Sequence, residues 1–429
     1  MTRLPHRIPI LPVLANVATA RARDRARPER IAELQARLLT QLVRHAAATV
    51  PHYREVYDPA VVAEFQGPQD LSRLPLLDRA TVNALGPSGG LLAAGHTAES
   101  TRMASTSGST GHPATFYYSE QDLGYLRATF LWDLLACGMR PWDRVGYFRV
   151  YGFRKHRLER LGLAGNVHVD TSKSIAEQAD AVLAGRPTIL WGFPSMIAAV
   201  GAELRRRGIR YPHARVIVFA GESTLIGGRT EALEYFGATA HETYASVEAY
   251  TIARTCSRGN MHLRSGDVVV EVIRDDGSVT LADGVGEIVV TRLHAEANPL
   301  IRYRLGDRVE ITPNDCDCGT SHMPILRSVL GRVEDRIETK DGVLRNGNFI
   351  ASLIYPLSRE GRLLRIQMVQ ERPGELRLLA VATDGAEAEV ERQLRAAIAP
   401  AASQFDLDVA MVDTIAPEPN GKIRLVKRL

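Results

Sequence analysis

Between positions 105 and 113 the chain reads Ser105, Thr106, Ser107, Gly108, Ser109, Thr110, Gly111, His112 and Pro113. This run has little apolar surface to bury, but it is dense in hydroxyls and in backbone N–H groups that its two glycines leave open to close approach. A β-type run, Ala114, Thr115, Phe116, Tyr117 and Tyr118, follows at once. The composition is that of a loop that wraps phosphate; the competing reading is a solvated Ser/Gly linker. It is not the P-loop of nucleotide kinases, which needs Lys directly after its second glycine, where this chain has His112.

At 429 residues the chain has room for two or three domains around a substantial core. Lys and Arg number 53 against 49 Asp and Glu, a formal charge of +4 spread without a block of one sign, so nucleic acid is not an expected partner. No apolar run approaches the roughly 18 residues that span a bilayer. The segment 8–17 is broken by Pro9 and Pro12 and has no small-residue cleavage site, so the expectation is a cytoplasmic enzyme. Four cysteines, Cys137, Cys256, Cys316 and Cys318, argue against a disulfide framework in so long a chain.

Residues 1–28 are rich in Arg, Ala and Pro and are expected to be loosely ordered. From Pro28, the spacing of Ile31, Leu34, Leu38, Leu42 and Val43 predicts a helix. A second helix is expected over 119–138, ending at Gly138. Strand-like runs at 144–148, 188–191 and 214–220 alternate with helical periods, the pattern of an α/β domain with a mainly parallel sheet. After 262 the texture changes to strands alone, 268–273 and 286–291 about a turn at Asp275, Asp276 and Gly277, with hairpin and barrel character. Beyond Gly331 a small α+β unit is expected, with strands over 363–369, 376–382 and 408–412 and a helix over 387–398.

Downstream of the hydroxyl-rich loop come, in order, Gly221-Glu222-Ser223, Tyr244-Ala245-Ser246-Val247-Glu248, Tyr303-Arg304-Leu305-Gly306-Asp307, Gly331-Arg332-Val333-Glu334-Asp335 and Pro419-Asn420-Gly421-Lys422. The series resembles the adenylate-forming superfamily of acyl- and aryl-CoA ligases, and within it the phenylacetate-CoA ligase branch, over roughly residues 40–425. The resemblance implies a large N-terminal α/β domain with a β-barrel-like subdomain, residues 1–332 including a helical lead-in at 28–60. A hinge at 333–336 and a small mobile α+β C-terminal domain at 337–429 would follow. It also implies ATP-dependent activation of an aryl or other organic acid as its AMP anhydride, then transfer to CoA, by a monomer or homodimer. Other outcomes in this branch are transfer to an amine, activation of nitrite in secondary metabolism, or a non-catalytic ligand-binding relative.

Residue by residue, the resemblance gives Ser107, Gly108, Ser109, Thr110 and Gly111 to the ATP phosphates, and Gly221, Glu222, Ser223 and Tyr244 to the adenine. Glu248 is given to Mg²⁺, Asp307 to the ribose hydroxyls, Arg332 to ribose or phosphate, and Asp335 to the hinge. Lys422 corresponds to the C-terminal lysine that enters the site during adenylation. Its turn presents a compact ammonium in a chain whose other lysines are only Lys155, Lys173, Lys340 and Lys427. Taken singly, each of these charged residues also reads as a surface ion-pair member. Tyr151, Trp191, Phe193, Ala245 and Ser246 match regions that line the acid in relatives, and an aromatic stripe reads equally as core. The family carries Lys, Gly and Thr where this chain has His112, Ala245 and Leu305.

Cys256, His262, Cys316 and Cys318 supply three sulfurs and one imidazole, the ligand count of a closed structural Zn²⁺ site, with His322 as a reserve nitrogen. The spacing is not that of a zinc finger, and the alternative is three small buried hydrophobes.

Overall fold

The structure, a computed structural model, describes residues 10–105, 114–150, 159, 161–221, 228–319, 321–332, 336–347, 350, 353–354, 357, 362–383, 385–416 and 424–429. The lead-in helices are α1 Ile10–Asp24, α2 Pro28–Thr49, α3 Pro51–Val56, α4 Pro59–Glu64 and α5 Arg79–Leu85. Proline opens α2, α3 and α4, where a missing N–H forfeits no intrahelical bond. The hairpin β1 Arg102–Ser105 and β2 Thr115–Tyr118 precedes α6 Glu120–Ala136. Strand and helix then alternate through β3 Arg144–Arg149, β4 Gly165–Asp170, α7 Ile175–Gly185, β5 Ile189–Gly192, α8 Pro194–Arg206, β6 Val216–Ala220 and α9 Arg229–Phe236. An all-β run follows: β7 Thr239–Ser246, β8 Tyr250–Thr255, β9 Met261–Leu263, β10 Val268–Ile273, β11 Val279–Leu281, β12 Gly284–Arg292, β13 Tyr303–Thr312 and β14 Ile325–Arg332. The chain closes with β15 Arg336–Glu338, β16 Leu344–Asn346, β17 Leu363–Gln370, β18 Glu375–Ala382, α10 Glu387–Ile398, β19 Asp406–Met411 and β20 Val426–Arg428.

Two compact units divide the chain, and each draws on two stretches: residues 1–136 with 243–330, and residues 137–242 with 331–429. In the first unit the strands run in the order β11-β10-β12-β13-β14-β9-β8-β7, with antiparallel registers from β10 to β13 and from β14 to β7. Their apolar faces share one core with α2 and β2, in which Leu39, Val43, Phe65, Phe116, Ile252, Val272, Ile288 and Val309 are buried. The amphipathic period of α2 explains its part, since Leu39, Leu42, Val43 and Ala46 fall on one stripe.

The N-terminal segment departs from the loose order expected of it, because its last turn is held by charge rather than by apolar periodicity. Asp24 accepts from Trp132 Nε1 at 2.6 Å and pairs with Arg254 and Arg264, while Arg23 Nη1 donates to the Tyr125 hydroxyl at 2.7 Å. Arg264 also pairs with Asp133 and Asp267 at 2.8 and 2.6 Å, so three guanidinium groups and three carboxylates neutralise one another around the end of α1.

In the second unit β6, β5, β3 and β4 are parallel, packed against α7, α8 and α9 through Phe148, Val182, Leu190, Ile197 and Ile217. A capping box starts α7: the Ser174 hydroxyl accepts from the Glu177 amide, and the Glu177 carboxylate accepts from the Ser174 amide. The same unit contains the four-stranded sheet β19-β18-β17-β20, with Val390, Leu394 and Ile398 of α10 buried in its core. Among the described residues no helix is long and apolar enough to cross a membrane.

Candidate nucleotide site and metal centre

β7 carries Tyr244 to the end of its strand, where the register against β8 shifts between Tyr244 and Ala245. The shift re-aims the strand end. The segment then turns sharply: the Ala249 amide donates to Ser246 Oγ at 3.0 Å, and Tyr250 takes a left-handed φ of 58°. Glu248 sits inside this turn, 6% exposed. The turn is buttressed from below by Tyr118 at the end of β2, whose hydroxyl donates to the Val247 carbonyl at 2.5 Å. Burial pushes the Tyr118 phenol far above its ordinary range, so it stays a donor. Its ring meets Tyr250 edge-on at 5.4 Å, and the Arg292 guanidinium lies 4.8 Å from its centroid. Sequence reasoning took Tyr118 only as a strand residue and passed over Tyr250 and Arg292. Their shared signal is an aromatic or cationic residue at a strand end beside a motif, which is weak until the strands are paired.

Asp307 lies on β13, one residue after Gly306, whose φ of 80° is the left-handed geometry glycine tolerates best. The approach to β13 is fixed by Arg302, itself left-handed at φ 53°. Its guanidinium spans Glu271 at 3.0 and 2.8 Å and donates to the Leu74 carbonyl at 2.5 Å. Burial raises the Glu271 carboxyl, with Arg302 pulling the other way. Leu305 points into the core at 5% exposure, so a branched apolar residue in place of the family's Thr serves packing. Across this arrangement Tyr244 and Asp307 meet, the phenol donating to Oδ2 at 2.7 Å. Ala245 is exposed and Ser246 half-buried beside them.

In the second unit Gly221 follows β6 with φ 82°, and a Cβ there would stand 2.5 Å from Phe193 Cε1. The Phe193 ring therefore needs a glycine below it. Trp191, half-buried on β5, pairs in register with Val218 and with Tyr147. Gly221 and Phe193 both follow the carboxyl ends of parallel strands, where open α/β sheets bind ligands. Arg332 is half-buried at the end of β14. Ser107, Gly108, Ser109, Thr110, Gly111, His112, Tyr151, Glu222, Ser223, Asp335 and Lys422 lie outside the described residues.

The tight loop between β8 and β9 presents Cys256, with its amide bonded to the Asn260 carbonyl at 2.9 Å and Gly259 left-handed at φ 82°. The segment between β13 and β14 presents Cys316 and Cys318. The ligand atoms of Cys256, His262, Cys316 and Cys318 all lie within 4.8 Å of one another. Cys256 Sγ is 3.8 Å from Cys316 Sγ, and Cys318 Sγ is 3.6 Å from His262 Nε2. A tetrahedron with Zn–S of about 2.3 Å and Zn–N of about 2.1 Å has edges of about 3.8 and about 3.6 Å, so these two edges have the lengths of a zinc cage. His262 Nδ1 lies 2.9 Å from the Met323 carbonyl and donates to it, which leaves Nε2 with its lone pair toward the sulfurs. Asn260 Nδ2 and the Arg258 amide donate to Cys316 and Cys256 sulfur at 3.2 and 3.4 Å. Burial raises the Cys256 thiol above its ordinary range, and the Arg258 amide contact opposes that shift.

No family model matches the chain. A phenylacetate-coenzyme A ligase of Thermus thermophilus is 29% identical over 368 residues, 81% of this chain and 80% of its own. Another, of Escherichia coli, is 25% identical over 80% of this chain and 78% of its own. Among solved structures, 2-hydroxyisobutyryl-CoA ligase in the postadenylation state, in complex with R3-HIB-AMP, superposes with a TM-score of 0.78 over 95% of this chain and 91% of its own. At 17% identity that match speaks for the fold alone. Sequence likeness over four-fifths of the chain and likeness of fold over nearly all of it agree: the chain is similar in sequence to phenylacetate-coenzyme A ligases and has the fold of a CoA ligase.

Proposed function

We propose that this protein is an ATP-dependent, AMP-forming ligase that activates an aryl or other organic acid as its acyl-adenylate and passes the acyl group to CoA. The observation that carries the reading is the meeting of Tyr244 with Asp307, the two residues that the resemblance gives to adenine and ribose. A carboxylate oxygen of the acid attacks the α-phosphorus of ATP and pyrophosphate leaves; the CoA thiolate then attacks the acyl carbon and AMP leaves. Catalysis of this kind is mainly positioning and charge stabilisation.

In this reading Asp307 accepts from the ribose hydroxyls, and Tyr244 lies against the adenine and holds the carboxylate. Glu248 is a buried carboxylate of the oxygen type that a hard cation takes, so it fits Mg²⁺, which when bound spreads the charge of the phosphates. Residues 107–111 cradle phosphate, Gly221, Glu222 and Ser223 border the base, and Arg332 adds a ribose or phosphate contact. Lys422 supplies a cation at the α-phosphate, carried by the 337–429 domain about a hinge at 333–336 that includes Asp335. Trp191, Phe193, Tyr151, Ala245 and Ser246 line the acid. The four-ligand Cys/His cage holds a structural Zn²⁺ with no open position, so the metal takes no part in the chemistry.

The test is pyrophosphate release across a panel of aryl and aliphatic acids, with and without CoA. Acid-dependent release together with a thioester product is expected. Release that no acid stimulates would sink the ligase reading, and release with product only when an amine is added would move the acceptor from CoA to an amine.

A further inference from the structure

A small cavity opens in the first unit beneath the Glu248 turn, lined in part by Tyr125, Tyr250, Arg264, Asp267, Arg292 and His294, the Asp267 carboxylate being held by Arg264. Its room is that of about one water-sized species. Arg264 is neutralised on its side of the cavity by Asp24, Asp133 and Asp267. Arg292 is not. It is 3% exposed, its Nη2 donates to the Asn298 carbonyl at 3.1 Å, and among the described residues its Nε and Nη1 have no hydrogen-bond partner. Among the described residues it forms no ion pair. Asp122, four residues beyond Tyr118, is already engaged by the amides of Ser119, Glu296 and Ala297. The Tyr118 ring gives the guanidinium a polarisable surface to lie against. His294 is held neutral near pH 7, so it adds no second charge to this wall.

A cation with two idle N–H donors beside a space of atomic size is a site for a counter-charge that no described residue brings to it as an ion pair. Water would satisfy the donors and leave the charge; an organic carboxylate exceeds the room. We propose that this cavity binds one small monovalent inorganic anion, of the halide class, seated on Nε and Nη1 of Arg292. The anion fixes Arg292 over Tyr118, and Tyr118 holds Val247 next to Glu248, so occupancy supports the turn from behind. Anion binding stands apart from the ligase reading; only an effect on Mg-ATP would rest on it.

The experiment compares wild-type protein in sodium chloride and in sodium gluconate at equal ionic strength, with crystals soaked in bromide. Expected are a chloride-specific, saturable rise in melting temperature of about 2 °C or more, its loss in Arg292→Met, and an anomalous bromide peak beside the guanidinium. Equal melting curves in the two salts overturn the proposal and leave a water in the cavity. A bromide peak without a saturable shift also overturns it, as an adventitious ion only. If Arg292→Met does not fold, the wild-type salt series and the bromide map decide the matter by themselves.

Discussion

The Tyr244 hydroxyl donates to Asp307 Oδ2 at 2.7 Å, although β7 and β13 stand four places apart in the sheet order. In a flat sheet four spacings come to about 19 Å, further than a tyrosine and an aspartate reach together. The antiparallel strands of the first unit are therefore curled, which is the barrel-like character that the run of short strands after residue 262 suggests.

Removing one partner of that contact should weaken nucleotide binding without unfolding the protein. Tyr244→Phe leaves the Asp307 carboxylate without this donor and should raise the dissociation constant for ATP about 5-fold, the scale of one net hydrogen bond. Asp307→Ala should cost more, since the ribose hydroxyls lose their acceptor as well. Titration calorimetry reads both, and an unchanged constant in Asp307→Ala would remove this residue from the nucleotide site.

Lys422→Ala should lower acyl-adenylate formation by about 100-fold or more, because a cation at the reacting phosphate acts mostly in the transition state. Pyrophosphate release by a variant with an unaltered melting temperature is the measurement. A rate near that of wild type would exclude Lys422 from the chemistry.

Purified protein should contain close to one zinc per chain, and Cys316→Ser should reduce both zinc content and stability, since metal binding to a site absent from the unfolded chain is folding free energy. Elemental analysis and thermal melting are the readouts. Metal-free wild-type protein of full stability would return the three sulfurs to ordinary packing.

Acid should destabilise the first unit through His294. Burial drives this imidazole down to about 4 from 6.5, with Asp267 opposing and Arg23 reinforcing the shift. Between those values the unfolded chain binds a proton that the folded one refuses, so stability is complete above about pH 6.5 and declines as pH falls toward 4. The loss at the lower end is on the order of 3 kcal/mol. Denaturant melts of wild type and His294→Gln at pH 7 and pH 4.5 test it; equal acid losses in the two proteins would count against the assignment.

The order of the motifs made the likeness to phenylacetate-CoA ligases legible, and alternating texture made the layers legible, because both depend on residue type along the chain. Positions whose role depends on partners far away in sequence were not. Asp24 and Arg23 look like a solvated basic terminus until Trp132, Arg254 and Arg264 are brought to them. Arg292 looks like any strand-end arginine until β2 places Tyr118 under it. The Cys/His set lies between these cases. Ligand count was readable, whereas the 3.8 and 3.6 Å edges required the β8–β9 loop and the segment before β14 to meet.

Each unit's division into two stretches has a consequence for the order of synthesis. Residues 1–136 emerge 107 positions before their complement begins at residue 243. At about 5–20 residues per second the ribosome takes about 5–20 s to cover that interval. During it Leu39, Val43, Phe65 and Phe116 have no strands of the later stretch to cover them. The nascent chain thus carries uncovered apolar side chains over a defined window, the condition under which aggregation competes with folding.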